Sequence, residues 1–173
     1  MLRNKRVVIV IASRNFRDEE FVEPRTLLLS RGAEVTVACS KPEPSRGTRG
    51  ATVKPDVLLK AVRPVDYDAV VFVGGSGAAE YFNDATAHSL AQEMVGSGKV
   101  VGAICIAPSI LANAGVLKGR QATCYPSEAE NLKAKGARYT GAPVTRDGRI
   151  ITADGPHSAR GFAMRIAETL ASQ

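Results

Sequence analysis

A chain of 173 residues, 45% of them hydrophobic and 23% charged, has a globular composition and the length of one domain, which we assign to residues 1–173. Three cysteines without a CxxC spacing and only two histidines exclude a disulfide framework and argue against a structural metal site. The net charge of +6 comes from scattered Lys and Arg residues, with no basic helix and no basic run interleaved with aromatic residues, so we expect no nucleic-acid partner.

The first predicted element is a buried strand, Val7–Ala12, a run of six apolar and mostly β-branched residues. Positive charge before an apolar run is typical of a signal peptide, but this run is too short for a secretory signal or a membrane span. We therefore expect no membrane-associated form, and the free cysteines favour a reducing, cytoplasmic location.

The following segments alternate between two types of apolar pattern. Short apolar runs predict buried strands at Glu34–Cys39, Ala69–Val73 and Val100–Ile104, followed by a hairpin within Val144–Ala153. Longer stretches predict helices at Phe21–Ser30, Ala85–Val95, Pro108–Asn113, Ser127–Lys135 and Pro156–Ala171. The polar segment Lys41–Gly50 is predicted to be a surface loop. This alternation predicts an α/β fold, a three-layer α/β/α sandwich of the flavodoxin-like, doubly wound type with a mostly parallel sheet.

Cys105 is the leading candidate for a reactive residue, because a predicted strand runs directly into it and a helix can begin at Pro108. The residues two before and two after it are both alanine, as a nucleophile on a tight strand-to-helix turn requires. We expect the N-terminus of that helix to lower the pKa of the thiol. The alternative is a small buried hydrophobic residue, which is our prediction for Cys39 and Cys124.

Two more groups follow predicted strands at the same edge of the sheet. The backbone of residues 74–77 (Gly-Gly-Ser-Gly) can form half of an oxyanion hole beside Cys105, with the Ile106 N–H as the other half; a plain turn is the alternative. Residues 18–20 (Asp-Glu-Glu) can place one carboxyl in a dry cleft, or they form an ordinary charge cluster at a helix start. The spacing does not show which carboxyl faces inward.

The segments that carry these features are VVIVIASRNFRDEEFVEP, DAVVFVGGSG, GAICIAPSILANAGVLKGRQATCYP and DGRIITADGPHSARGFA. As a set they resemble the ThiJ/PfpI superfamily, also called the DJ-one/PfpI family, along almost the whole chain. The resemblance implies that Cys105 is the nucleophile, that Glu20, four residues before Pro24, is the active-site carboxyl, and that the N–H groups of Gly75 and Ile106 hold an oxyanion. It also implies a nucleophile elbow and a homo-oligomer, either a dimer or a larger assembly.

The chain differs from the family pattern at its histidine. One branch of the family has a His directly after the nucleophile, where this chain has Ile106, and another has a His before the later Pro, where this chain has Tyr125. Tyr125 is a candidate hydrogen-bond donor or proton shuttle, although an ordinary tyrosine is a poor base at neutral pH. His157, in the first turn of the last predicted helix, is a candidate replacement base, with a surface histidine as the alternative.

The resemblance leads to a cytoplasmic, cysteine-dependent stress-response enzyme that acts on small reactive carbonyls in the manner of a glyoxalase or deglycase. The Cys105 thiolate would add to an aldehyde and Glu20 would move the proton, without a metal or an organic cofactor. The first alternative is a sensor of oxidative stress, in which an oxidant converts Cys105 to a sulfinate held by protonated Glu20. The second alternative is a PfpI-like intracellular cysteine peptidase.

Overall fold

The computed structural model describes residues 1–172, which form eleven strands and five α-helices. The strands are β1 (Arg6–Val10), β2 (Glu34–Cys39), β3 (Ser45–Arg46), β4 (Thr52–Val53), β5 (Val57–Leu58), β6 (Ala69–Phe72), β7 (Val100–Ile104), β8 (Gln121–Ala122), β9 (Arg138–Tyr139), β10 (Val144–Asp147) and β11 (Ile150–Ala153). The helices are α1 (Asp18–Ser30), α2 (Ala85–Gly96), α3 (Pro108–Asn113), α4 (Ala129–Ala134) and α5 (Ala159–Ala171). Within these residues no helix is long and apolar enough to cross a membrane.

A seven-stranded sheet in the order β10-β11-β7-β6-β1-β2-β5 forms the middle layer. All its neighbouring strands are parallel except the hairpin pair β10 and β11. Helices cover both faces of the sheet, and the side chains of each strand alternate between these faces. In β1, Val7 and Ile9 pack with α1 and α5, whereas Val8 and Val10 pack with α2, α3 and α4. The predicted three-layer, doubly wound sandwich is therefore confirmed.

The parallel register brings the segments that carry chemistry together at one edge of the sheet. Val10 of β1 pairs with Phe72 of β6, and Phe72 pairs with Ala103 of β7, so these three central strands end at the same level. The segments that follow them, residues 11–17, 73–77 and 105–107, consequently meet at that edge. This is where open α/β sheets place their ligand sites.

Several predicted boundaries are wrong. The predicted loop Lys41–Gly50 contains β3, which pairs antiparallel with β4, and its Ser45 is fully buried with its hydroxyl donating to the Ala12 carbonyl at 2.6 Å. Helix α1 begins at Asp18, three residues before the predicted start. The predicted helices Ser127–Lys135 and Pro156–Ala171 each open with one turn of 3₁₀ helix, and these turns begin at Pro126 and Pro156. The two-residue strands β3, β4, β5, β8 and β9 were not predicted, because such short segments have no periodicity.

Gly102 in β7 provides a test of the packing between the sheet and α5. A Cβ at this position would lie 3.0 Å from atoms of both Ile166 and Phe162, so we expect Gly102→Ala to lower the free energy of unfolding by about 1–3 kcal/mol. The control is Gly96→Ala at the end of α2, where a Cβ would meet no atom within 4 Å and stability should stay the same or rise slightly. Urea denaturation measures both, and equal stability of the two variants would contradict this packing.

Candidate active site

Cys105 occupies a sharp turn between β7 and α3. Its φ of +66° is in the left-handed region, which non-glycine residues rarely adopt, and its side chain is buried. Two backbone hydrogen bonds hold this conformation: the Cys105 N–H donates to the Ala153 carbonyl at 2.9 Å, and the Tyr125 N–H donates to the Cys105 carbonyl at 2.8 Å. The predicted nucleophile elbow is present, with its sulfur at the carboxyl edge of the sheet.

Gly74 lies between the thiol and a carboxyl group from α1. A Cβ at Gly74 would be 2.5 Å from Oε1 of Glu20 and 2.6 Å from Cβ of Cys105, so a side chain here would push the two functional groups apart. The Gly74 carbonyl also accepts from the Arg17 N–H at 2.9 Å, which joins the end of β6 to the start of α1. Glycine at this position allows three chain segments to converge on one point.

The next residue, Gly75, presents its backbone to the thiol. Its φ is +96°, and an added Cβ would overlap the backbone of residues 15–17, so both its conformation and its surroundings require glycine. The N–H groups of Gly75 and Ile106 both make polar contact with the Cys105 sulfur and favour its charged form. The structure thus brings the two predicted oxyanion donors to the predicted nucleophile.

The three carboxyl groups of residues 18–20 have three different environments. Asp18 accepts hydrogen bonds at 2.8 Å from the backbone N–H groups of residues 49 and 51. Glu19 pairs with Arg17 through two contacts of 2.9 Å, and these bonds lower the pKa of Glu19 to about 2. Glu20 is completely buried and faces Cys105. Only the third carboxyl is therefore in position to exchange a proton with the thiol.

A cleft of about 630 Å³ opens from the Cys105 thiol to solvent. Its walls include both predicted auxiliary residues, Tyr125 and His157, which are exposed. Within residues 1–172 neither side chain forms a hydrogen bond to the Cys105 sulfur. The structure therefore places both residues at the cleft without linking either of them to the thiol.

Comparisons with known proteins agree with this fold. The family model for the DJ-1/PfpI family matches residues 5–169. The chain is 31% identical to the glutathione-independent glyoxalase DJR-1.2 of Caenorhabditis elegans, over 98% of this chain and 91% of that one. It is 34% identical to a deglycase of Pyrococcus abyssi, over 86% of this chain and 90% of that one.

The same comparison extends to solved structures. A ThiJ/PfpI domain protein from Brachyspira murdochii superposes with a TM-score of 0.96 at 30% identity, and the match covers 99% of both chains. This chain belongs to the DJ-1/PfpI family. The resemblance inferred from the four sequence segments is confirmed.

Two polar residues of the cleft were missed by sequence reasoning: Arg17 and Thr48. Thr48 reaches the cleft because its N–H donates to the Phe16 carbonyl at 2.9 Å and because Asp18 holds the backbone on either side of Gly50. This contact joins segments about thirty residues apart, and no local pattern indicates it. The one available signal for Arg17 was its position directly before the acidic cluster of residues 18–20.

Burial governs the acidity of Glu20. Removal from water raises the pKa of this carboxyl to about 8, because the charged form loses its hydration. Contacts from the Cys105 thiol and the Gly74 N–H oppose this shift, but among the described residues neither carboxyl oxygen has a partner with full hydrogen-bond geometry. At neutral pH Glu20 is therefore an uncharged acid that carries a proton beside the sulfur.

The prediction that a helix N-terminus lowers the pKa of Cys105 is wrong. Burial and, secondarily, the negative charge that Glu20 carries when ionised raise the pKa of this thiol to about 12. The N–H groups of Gly75 and Ile106 act in the predicted direction, but they are outweighed. Helix α3 has only six residues and starts three residues after the thiol, so it offers a weak dipole.

The remaining cysteines are packing residues, as predicted. Cys39 and Cys124 are both fully buried and belong to the two hydrophobic clusters on opposite faces of the sheet. Burial also raises the pKa of Cys124 to about 12, so this thiol is uncharged at neutral pH.

The raised pKa of Glu20 makes stability depend on pH. Between about pH 4.5 and 8 the unfolded chain releases this proton while the folded chain keeps it. The stabilising contribution of Glu20 to the free energy of unfolding is therefore fully present below this range and is lost as the pH rises through it. We expect Glu20→Gln to remove this loss, which amounts to about 3–4 kcal/mol between pH 5 and pH 8. Urea denaturation at the two pH values measures it.

The matched control is Glu93→Gln, which changes the same chemical group at an exposed position on α2. Its stability should follow the wild-type curve across the pH range. If Glu20→Gln also runs parallel to the wild type, the carboxyl of Glu20 is ionised in the folded protein at neutral pH and the assignment of a buried acid is wrong.

Proposed function

We propose that this protein is a cysteine-dependent enzyme that converts small reactive carbonyl compounds, 2-oxoaldehydes such as methylglyoxal, in the manner of a glyoxalase or deglycase. The observation that carries the proposal is the convergence of a buried acid, Glu20, and two backbone N–H groups on the Cys105 thiol. The relatives named glyoxalase and deglycase support the same chemistry.

The first step is addition of the thiol to the aldehyde. In the competent state Cys105 and Glu20 together hold one proton, which either the sulfur or the carboxyl can carry. The sulfur attacks the aldehyde carbon and forms a C–S bond, and the electron pair of the C=O bond moves onto oxygen. The N–H groups of Gly75 and Ile106 hold that oxygen until it takes the shared proton, which completes a hemithioacetal.

The second step is an internal oxidation and reduction of the substrate. Glu20, now a carboxylate, removes the hydrogen on the former aldehyde carbon as a proton, and the resulting enediol receives a proton at the neighbouring carbon. The first carbon becomes a thioester and the second becomes an alcohol, so no external oxidant or reductant is needed. Water then cleaves the C–S bond, which releases a 2-hydroxy acid and restores the thiol.

The pair also explains how the site can work without the family histidine. A carboxyl with a pKa of about 8 gives up and takes back a proton near neutral pH, which is the task for which a histidine is often used. Glu20 therefore supplies the acid and the base in succession. Tyr125 and His157 contribute to the cleft wall and to substrate binding.

Methylglyoxal turnover to lactate tests this proposal. We expect turnover by the wild type, none by Cys105→Ala, and a rate about 10²- to 10⁴-fold lower for Glu20→Gln, since it loses the group that moves the proton. Cys124→Ala removes a thiol that belongs to the hydrophobic core and should keep the wild-type rate. No turnover at high enzyme concentration, or full turnover by Cys105→Ala, would exclude the proposed reaction.

The pH profile tests the shared proton. Below about pH 8 the pair holds two protons and is inactive, so kcat/KM should rise between pH 6 and pH 9 with an apparent pKa of about 8. His157→Gln and Tyr125→Phe should lower kcat/KM by less than about tenfold and keep this profile, because neither side chain contacts the thiol. A profile that instead follows His157 would assign the base role to that histidine.

A second function, sensing of oxidative stress, is favoured by the donors around the sulfur. Protonated Glu20 and the two N–H groups can all donate to a sulfinate on Cys105. After limited peroxide treatment, intact mass should rise by about 32 Da, two oxygen atoms, in the wild type and not in Cys105→Ser. The reaction should be faster at higher pH, because the thiolate is the species that oxidises.

The location and assembly of the protein are part of the same proposal. We place it in the cytoplasm because all three thiols are free. We also propose a homo-oligomer, because α1 presents two large apolar side chains, Val22 and Leu29, that are 44% and 41% exposed. A peptidase gains no support, since within residues 1–172 no histidine hydrogen-bonds to the Cys105 sulfur.

A further inference from the structure

A cluster of cationic side chains lies at the edge of the sheet opposite the active site. Lys99 directly precedes β7 and Arg149 directly precedes β11, and together with Arg120 they line a cavity of about 170 Å³. The remaining lining residues are Val95, Gly98 and Ile150. Because β7 separates this cavity from Cys105 by five residues, the two sites are roughly 17 Å apart.

Arg149 has more buried hydrogen-bond donors than it has partners. Its Nη1 donates to the Thr169 carbonyl at 3.4 Å, near the end of α5. Its Nε and Nη2 are buried and have no partner among the described residues. Buried donors of a charged group that have no partner are destabilising, so a hydrogen-bond acceptor bound at this position would stabilise the folded protein.

The surroundings of the cavity do not balance the charge of its three cationic side chains. No carboxylate of the described residues lines it, and the nearest ion pair is a loose one of 3.9 Å between Arg120 and Asp147. Asp147 also accepts the Gln121 N–H at 2.8 Å. The Lys99 ammonium donates to the Pro64 carbonyl, which is neutral. The cavity therefore keeps an excess of positive charge.

The neighbouring helix end does not remove this excess. Gly98 follows α2, and carbonyl groups at the C-terminus of a helix carry partial negative charge. However, the Val95 carbonyl already accepts from the Gly98 N–H, and the Met94 carbonyl accepts from the Lys99 N–H, both at 3.0 Å. The partial negative charge of this helix end is favourable for nearby cations. The two carbonyl groups are already paired, however, and do not act as acceptors for Arg149.

We propose that this cavity binds a small tetrahedral oxyanion of the phosphate type, either free phosphate or the phosphoryl group of a small metabolite. The Nε–H and Nη2–H donors lie along one edge of the planar guanidinium group and match two oxygens of such an anion. Lys99 and Arg120 add charge from the other walls. A volume of about 170 Å³ holds one such ion and a few waters, each of which needs about 30 Å³.

Thermal unfolding in phosphate tests the proposal. At constant pH and ionic strength, replacing chloride with inorganic phosphate should raise the melting temperature of the wild type and reach saturation, because a ligand that binds only the folded state stabilises it. Arg149→Met should lose this rise. Arg160→Met, which removes the same charge from an exposed position on α5, should keep it. Absence of a saturable rise in the wild type would overturn the proposal.

A second comparison separates anion binding from a merely structural role of Arg149. Without phosphate, Arg149→Met should be at least as stable as the wild type, since it has no unpaired buried donors. In saturating phosphate it should be the less stable protein. An equal loss of stability in both buffers would show that the side chain acts only by packing. Lys99→Gln and Arg120→Gln should keep the fold and require higher phosphate concentrations for half saturation.

Two further measurements identify the source of the anion and its independence from catalysis. A saturable rise with both inorganic phosphate and glycerol phosphate assigns the cavity to a phosphoryl group, and a rise with inorganic phosphate alone assigns it to the free ion; both outcomes support the site. Cys105→Ala should keep the rise in melting temperature while lacking turnover. Failure of the proposed enzyme activity therefore leaves this inference standing, and the reverse also holds.

Discussion

The active site depends on the complete burial of one carboxyl group, Glu20, against the Cys105 thiol. The orientation of Glu20 is fixed by the two carboxyl groups that precede it in the chain. Asp18 is held by two backbone N–H groups and Glu19 by the guanidinium of Arg17, so the first turn of α1 has a fixed rotation about its axis. That rotation directs the third carboxyl inward, where it is fully buried and forms no ion pair with any described residue.

Two features of this site oppose folding, and the central sheet compensates for both. A buried acid loses the hydration of its charged form, and Cys105 adopts a left-handed conformation that costs about 1–2 kcal/mol. Among the described residues only two other non-glycine positions have positive φ, and both are asparagine, which adopts this conformation more readily. The strands β1, β6 and β7 that carry the site are buried almost throughout, and their packing stabilises the strained elbow.

The parts of the structure that sequence could predict are those with a local signal. Short apolar runs identified β1, β2, β6, β7 and the β10–β11 hairpin, and a strand, a cysteine and a proline in close succession identified the elbow. No local signal showed which of the three carboxyl groups faces inward. That orientation depends on the hydrogen bonds from Arg17 to Glu19 and from the backbone of residues 49 and 51 to Asp18. Thr48 was missed for the same reason, because its segment was interpreted as a surface loop and reaches the cleft only through long-range hydrogen bonds.

The error about the Cys105 thiol has a more general cause. Local sequence shows where N–H groups and a helix follow a cysteine, and those do favour the thiolate, but it does not show how much water the fold excludes. Here exclusion of water has the larger effect on both partners, and Arg17, the nearest cation, is already paired with Glu19. The acidity of the pair is thus set by packing around Glu20. A change that admits water beside Gly74 would lower the pKa of Glu20 without altering either reactive side chain.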